Sequence, residues 1–323
     1  MKKLMISLFV AVMATITMQA QQIAVVSKTG ATSIYQTFKE AIEGASAESV
    51  IYLPGGGFPI ADSVKITKKL TIIGIGHKGK TDNADGYTTI SGNLFFDEGS
   101  DASAVMGAYI TGNVYIGNDG SQVDNVLVRY CNLNAVYVQN NKCMETLINQ
   151  NYIRNYSVFS GARAEFTNNI AHSLTDLDNG LIAYNIFVYT TYLGYDGGDR
   201  ALHYTDNTSM IGNIFLTWGN HPHSGGNCSA SNNMAMGNWG DDPINVSGVG
   251  WGDIFVNHAG INPVSDYHFK GEYEKYNGKC GIYAGTGFSD SALPPVPYIV
   301  AKQIPEQTDA NGTLNIKIRV KAN

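Results

Sequence analysis

An asparagine followed by an apolar residue returns along this chain at a nearly fixed interval. The positions are Asn93, Asn113, Asn132, Asn151, Asn169, Asn185, Asn213 and Asn233, with Asp253 in a ninth slot, and the intervals are 20, 19, 19, 18, 16, 28, 20 and 20 residues. The neighbourhoods repeat as well, as in Asn185-Ile186-Phe187, Asn213-Ile214-Phe215 and Asp253-Ile254-Phe255. A period near twenty, sustained this long, means one supersecondary unit stacked many times. Asparagine suits the turns of such a stack because it tolerates left-handed backbone and its amide bonds neighbouring backbone groups. With coils about 4.8 Å apart, equivalent asparagines are expected to line up in one hydrogen-bonded column. The following residues Leu94, Val114, Leu133, Ile170, Ile186, Ile214, Met234 and Ile254 are expected to point inward and stack like on like. Tyr152 breaks that pattern, and Ile153 is expected to take the inward slot there.

The composition fits a turn-rich all-β chain: 36 of 323 residues are Gly, 19 are Tyr, and only 15% are charged. Leucine-rich repeats share the period but need several Leu at fixed offsets, which are missing, and a propeller needs a period near forty. The apolar content excludes disorder. Before the repeat, residues 22–26, 49–53, 64–66 and 70–74 read as short strands. Between the first two, Phe38, Ala41 and Ile42 fall on one face of a short helix. Residues 88–256 form the repeat body. After 257 the pattern changes, and residues 298–304 and 314–321 read as two strands around the turn Asp309-Ala310-Asn311-Gly312. The last strand alternates Leu314, Ile316, Ile318 and Val320 on one face with Asn315, Lys317, Arg319 and Lys321 on the other, which suits a closing hairpin whose basic face discourages edge pairing.

Lys2 and Lys3, an apolar run over 4–16 and Ala20 read as a removable secretory signal over 1–20, with the mature protein secreted, periplasmic or at the cell surface. No later stretch is long and apolar enough to span a membrane. Loss of 1–20 removes two lysines and no acid, moving the formal charge from −6 to −8. So acidic a body disfavours nucleic acid, anionic membranes and heavily anionic polysaccharides as partners. Cys131, Cys143, Cys228 and Cys280 include no C-x-x-C pair, so no metal site is expected. Cys131 and Cys143 either bridge across one coil or pack as buried thiols; the sequence leaves both open, as it does the oligomeric state. No cofactor is expected; Ca2+ is compatible with the fold class but not indicated.

The opening segment, a short amphipathic helix at Phe38 to Ile42, an apolar strand at Val50 to Leu53, a Pro54-Gly55-Gly56-Gly57 turn and a strand from Leu70 to Gly74, resembles the N-terminal cap of right-handed parallel β-helix proteins of the pectate-lyase-like superfamily. The tail is similar to those of secreted β-helix proteins of Bacteroides-like bacteria, mostly of unassigned function. The resemblance covers most of the mature chain and implies a single-stranded right-handed parallel β-helix with an N-terminal capping helix and a C-terminal hairpin cap. The expected divisions are 1–20 signal, 21–87 cap and first coils, 88–256 coils and 257–323 closing segment.

The 28-residue interval carries an insertion with Asp196, Asp199, Arg200 and His203, and insertions in repeat proteins project from one face and often bind. Equal offsets from Asn213, Asn233 and Asp253 stack Trp218 on Asn238 and His258, and His221 on Asp241 and Ile261. His223, Trp239 and Asp242 fall nearby. Aromatic rings beside carboxylates and imidazoles make a sugar-binding surface, so the candidate ligand-binding residues are Asp199, Arg200, His203, Trp218, His221, His223, Trp239 and Asp241. Asp241, Asp242 and His221 are the candidate catalytic groups, since glycoside hydrolysis needs two carboxylates. The Asn-Thr-Asp, Gly-His-Gly and Arg-x-Lys motifs of polygalacturonases are poorly matched, Gln-Asp motifs of methylesterases are absent, and the shared offset of Arg154 and His172 is a thin basis for a lyase. The leading expectation is a non-catalytic protein that binds a polysaccharide or cell-surface glycan or presents a rigid surface. The alternatives are a polysaccharide lyase or glycoside hydrolase acting along the 195–242 face, and an adhesin.

Overall fold

The computed structural model describes residues 22–62, 64–78, 86–189, 200–217, 223, 225–291, 293–303, 305, 307, 311–313 and 315–321. The expected signal at 1–20 lies outside them. The described chain is built mainly of parallel strands in three sheets of 11, 10 and 7 strands. The chain visits the sheets in rotation: Leu127–Arg129 in sheet 1, Asn132–Leu133 in sheet 2, Val136–Val138 in sheet 3, then Thr146–Asn149 back in sheet 1. Each strand pairs in parallel with its equivalent one coil before and after, as in a parallel β-helix. Strands this short cannot stand alone, so backbone pairing between coils and burial of alternate side chains hold the stack.

The inward residues stack as expected of a repeat. In sheet 1 the column runs Ile72, Val105, Val128, Ile148, Phe166, Ile182, Met210, Ala230, all in one buried cluster. Phe166, Phe187 and Phe215, from three successive coils, stack ring on ring at 6.0 and 5.4 Å. Helix α1 (Phe38–Gly44) starts where Thr37 and Glu40 form a reciprocal capping box. Its buried face, Phe38, Ala41 and Ile42, joins the same cluster.

The asparagines form two columns rather than the single one read from the sequence. The first lies at the turn from sheet 1 to sheet 2 and contains Asn151, Asn169, Asn185, Asn213 and Asn233, each 2% exposed or less. Asn185 Nδ2 donates to Phe166 O (2.7 Å) and Asn213 Oδ1 (2.9 Å), while its Oδ1 accepts from Asn169 N (2.8 Å) and Asn169 Nδ2 (3.1 Å). The same pattern joins Asn151 to Asn169 and Asn213 to Asn233. The second column lies at the turn from sheet 2 to sheet 3: Asn93 Oδ1 accepts from Asn113 N, and Asn134 Nδ2 donates to Asn113 Oδ1. Asn132 belongs to neither. It sits between Tyr109 and Tyr152 in sheet 2, and Cys131 occupies the rung before Asn151, its N–H donating to Asn151 Oδ1 at 2.9 Å. Nor do the ladder asparagines take left-handed backbone. The residue before each does: Gln150, Asn168, Tyr184, Gly212 and Asn232, with φ between 53° and 62°. Asp253 is no ninth rung either; it lies in helix α2 (Trp251–Ile254).

The outside of sheet 2 departs from the sequence expectation as well. Tyr152, Ile170, Ile186, Ile214 and Met234 are cross-coil neighbours that face away from the bore, while Ile153, Ala171, Phe187 and Phe215 fill it. The outward row is nonetheless buried, in a separate core with Trp251, Ile254, Phe255, Tyr267, Phe269, Cys280 and Ile282 of the segment beyond the coils. Trp251 Nε1 donates to Leu216 O at 2.8 Å. The chain then runs back along the stack over the left-handed turn residues. Gly281 N donates to Gly212 O, Asn168 Nδ2 to Ile282 O and Ala284 O, and Ser289 N to Gln150 Oε1. Pro294 packs where a side chain on Gly107 would be.

The final hairpin, Tyr298–Gln303 with Lys317–Lys321, is a sheet of its own that pairs with none of the coil strands. Since the chain has already returned to Gly107, this hairpin is not stacked on the last coil. Ile316, Ile318 and Val320, on the apolar face of the expected cap hairpin, are 51, 53 and 56% exposed; Leu314 lies outside the described residues. All four cysteines are free thiols, and burial pushes Cys131 and Cys280 up to about 12. No described helix is long and apolar enough to cross a membrane.

Three outcomes are expected. Asn185→Ala strips partners from buried backbone and amide groups on both neighbouring coils and should lower stability in urea by about 3 kcal/mol or more, whereas Asn134→Ala, in the half-buried column, should cost under about 1 kcal/mol. A thiol reagent should label Cys228 in the native protein and reach Cys131, Cys143 and Cys280 only after denaturation, since buried protonated thiols are unreactive. His77 is 4% exposed, edge-on to Tyr152 at 5.2 Å, with no partner on either ring nitrogen. Burial, helped by the neighbouring Lys78 charge, lowers its pKa to about 3. The unfolded chain therefore binds the proton first, so stability is full above about pH 6.5 and falls by about 1.4 kcal/mol per unit below it. His77→Leu should remove about 2 kcal/mol of the loss measured between pH 6.5 and pH 5.

Candidate ligand-binding surface

Asp199, Trp218 and His221 lie outside the described residues, and with them the expected contact of His221 with Asp241. The insertion rejoins sheet 3 at Leu202–His203, where Leu202 pairs with Leu174 and His203 with Thr175. Arg200 Nη1 donates to His223 O at 3.2 Å. His223 is bridged to Leu202 and so lies over the bore. Its Nε2 is 3.1 Å from Thr205 O, and burial holds its pKa below the usual histidine range. Trp239 packs edge-on against Phe215 at 5.3 Å and 6.0 Å from the His223 ring. The structure thus gathers Arg200, His223 and Trp239 at the last full coil, where the two rings bury surface against the core. His203 points to the opposite side of its strand from Leu202 and is 1% exposed. Asp241 and Asp242 are exposed in sheet 1's final turn, Asp241 bridged to Ser231.

Asp176 was not among the sequence candidates. It has left-handed backbone (φ 56°) inside the strand Leu174–Leu177, opposite a register shift in the preceding coil. Burial raises its carboxyl above the usual range. The Asp178 charge adds to that, while the neighbouring Thr175 and His203 oppose it. Arg154 and His172 do lie on adjacent coils, as their shared offset implied. Arg154 is fully engaged, with Asn132 Oδ1 at 2.6 Å and Ile110 O at 3.0 Å. On sheet 3, Phe95, Tyr115 and Tyr137 stack at 4.9 and 5.2 Å; their faces meet one another, leaving edges outward.

Among the described residues, a furrow of about 180 Å3 lies on the outer face of sheet 1, lined by Glu145, Arg163, Ala164, Glu165, Asn179, Gly180 and Leu181. Three successive coils build it. Register places Glu165 between Leu147 and Leu181, and Ala164 next to Thr146. Gly180 lies close against Ala164, where a Cβ would collide with Ala164 O. Arg163 Nη2 is 3.0 Å from Glu145 Oε1 across one coil step. The Asn179 side chain is exposed at a left-handed turn residue (φ 53°). Such a surface offers a carboxylate, a guanidinium and an amide around an apolar floor, the mixture that fixes sugar hydroxyls while covering ring carbons. One signal in the sequence could have found it: Leu147, Glu165 and Leu181 each stand four residues before Asn151, Asn169 and Asn185, and Glu145, Arg163 and Asn179 each stand six before.

Among the described residues, no three His, Cys, Asp or Glu side chains are grouped to hold a metal ion. Comparison with protein-family models, curated proteins and solved structures returned no match.

Proposed function

We propose that this chain is an exported, right-handed parallel β-helix protein that binds a polysaccharide along its coil flank without cleaving it. The observation that carries this reading is the furrow on sheet 1: polar side chains from three coils, repeated at the coil spacing of about 4.8 Å, around Ala164, Gly180 and Leu181. That step is close to the length of one sugar unit, so a linear glycan lying along the axis meets equivalent positions in succession. At about 180 Å3 the furrow is smaller than the ~300–1,000 Å3 of drug-sized sites, which suits one sugar of a longer chain. The basic start and apolar run at 1–20 support export, and the burial of Phe38, Ala41 and Ile42 in the bore cluster supports a capping role for α1.

The test is binding of residues 21–323 to a glycan array followed by calorimetry. Binding to at least one linear glycan is expected, weakened about tenfold by Arg163→Ala combined with Asn179→Ala, with no new reducing ends after long incubation. Failure to bind any glycan on a broad panel would overturn the reading. Asp176 favours a second reading, since a carboxyl whose pKa burial raises, beside a histidine, is the kind of group a general acid needs. If cleavage is detected and Asp176→Asn abolishes it with folding intact, the protein is a hydrolase or lyase.

A further inference from the structure

Resting on that reading, we infer that the sugar held in the sheet 1 furrow carries an amine, so that the ligand is an amino-glycan with free ammonium groups. The charges around the furrow set the class. Arg163 is committed to Glu145 at 3.0 Å, which leaves that pair neutral. Glu165, exposed one position further along, stands between Leu147 and Leu181 in the register and has no ion-pair or hydrogen-bond partner for its carboxylate among the described residues. The furrow therefore holds one uncompensated negative charge at its centre.

The turn beside it deepens that field. Asp101, Asp124, Asp178 and Asp206 each turn one carboxylate oxygen to a backbone N–H of the next coil, those of Asp124, Met144, Asp206 and Gly226. These four acids are fixed along the same edge of the stack, which also carries Arg163, already paired with Glu145, and the exposed Lys142. A uronate would meet like charge at Glu165 and along this edge. A neutral sugar would leave Glu165 hydrated and unused. An ammonium at the sugar's amine-bearing carbon would take Glu165 as its counter-ion, while Asn179 and the Arg163–Glu145 pair remain to bond hydroxyls. Because Glu165 is exposed, the preference is modest, about fivefold for a single solvated pair.

The experiment compares three oligosaccharide probes by calorimetry at about pH 5.5, where carboxylates are ionised and amines protonated: a fully deacetylated glucosamine oligomer, its N-acetylated counterpart and a galacturonate oligomer. The expected order is glucosamine tightest, acetylated about fivefold weaker and galacturonate weakest, with the first gap closing as salt is raised. Glu165→Gln, exposed and isosteric, should abolish the preference for the glucosamine oligomer over the acetylated probe. Equal or tighter binding of the acetylated or galacturonate probe by the unaltered protein would overturn the amine assignment alone, as would a preference that survives Glu165→Gln. Absence of binding to all three and to the wider array would instead remove the polysaccharide reading beneath it.

Discussion

Each coil of the central stack is tied to the next by a side-chain amide that water does not reach. Backbone pairing alone would hold the sheets, but it would leave the turn between sheets 1 and 2 with unpaired N–H and C=O groups deep in the protein. The Asn151 to Asn233 ladder supplies both donor and acceptor there: each rung takes the N–H of the rung before and gives its own N–H2 to a carbonyl, and each but the last, Asn233, also to the next amide. A buried polar network is stabilising only when all members are satisfied. That requirement explains why the rungs repeat the same residue while the intervals between them vary from 16 to 28. Loop length can change on the outside of a turn; the group that closes the inside cannot.

This also accounts for how much was legible beforehand. The stacked parallel architecture was readable because the ladder writes itself into the sequence as a period. Its register was not, because asparagine before an apolar residue serves two different turns. The step from Asn113 to Asn132 looks like one coil, yet Tyr109 is the residue below Asn132, so the apparent column crosses from one corner of the coil to another. Inside and outside were confused for a related reason. A strand covered on both faces has apolar residues at both phases, and Ile186-Phe187 or Ile214-Phe215 gives no sign of which looks inward. Tyr152, taken as the exception, has the same orientation as its neighbours.

The candidate surface shows the same division. Residues close in sequence, such as Arg200 and His203, were easy to group because they share a loop. Their side chains point to different places once the strand alternates. Glu145, Arg163, Glu165 and Asn179 come from three coils and meet only when the register is known. Their common distances from the ladder asparagines were present in the sequence, but a list of residues becomes a surface only after the correct column has been chosen.

The strap that returns over the turns has a bearing on how the molecule is made. Residues 251–291, with 293 and 294, lie across coils synthesised well before them, from the level of Gly212 back to that of Gly107. Coils can add in order as the chain emerges, each using its predecessor as a template, but the greasy outer wall of sheet 2 stays bare until the final stretch arrives to cover it. Assembly is therefore vectorial inside the bore and retrograde outside it, and the half-built molecule is at its stickiest just before completion.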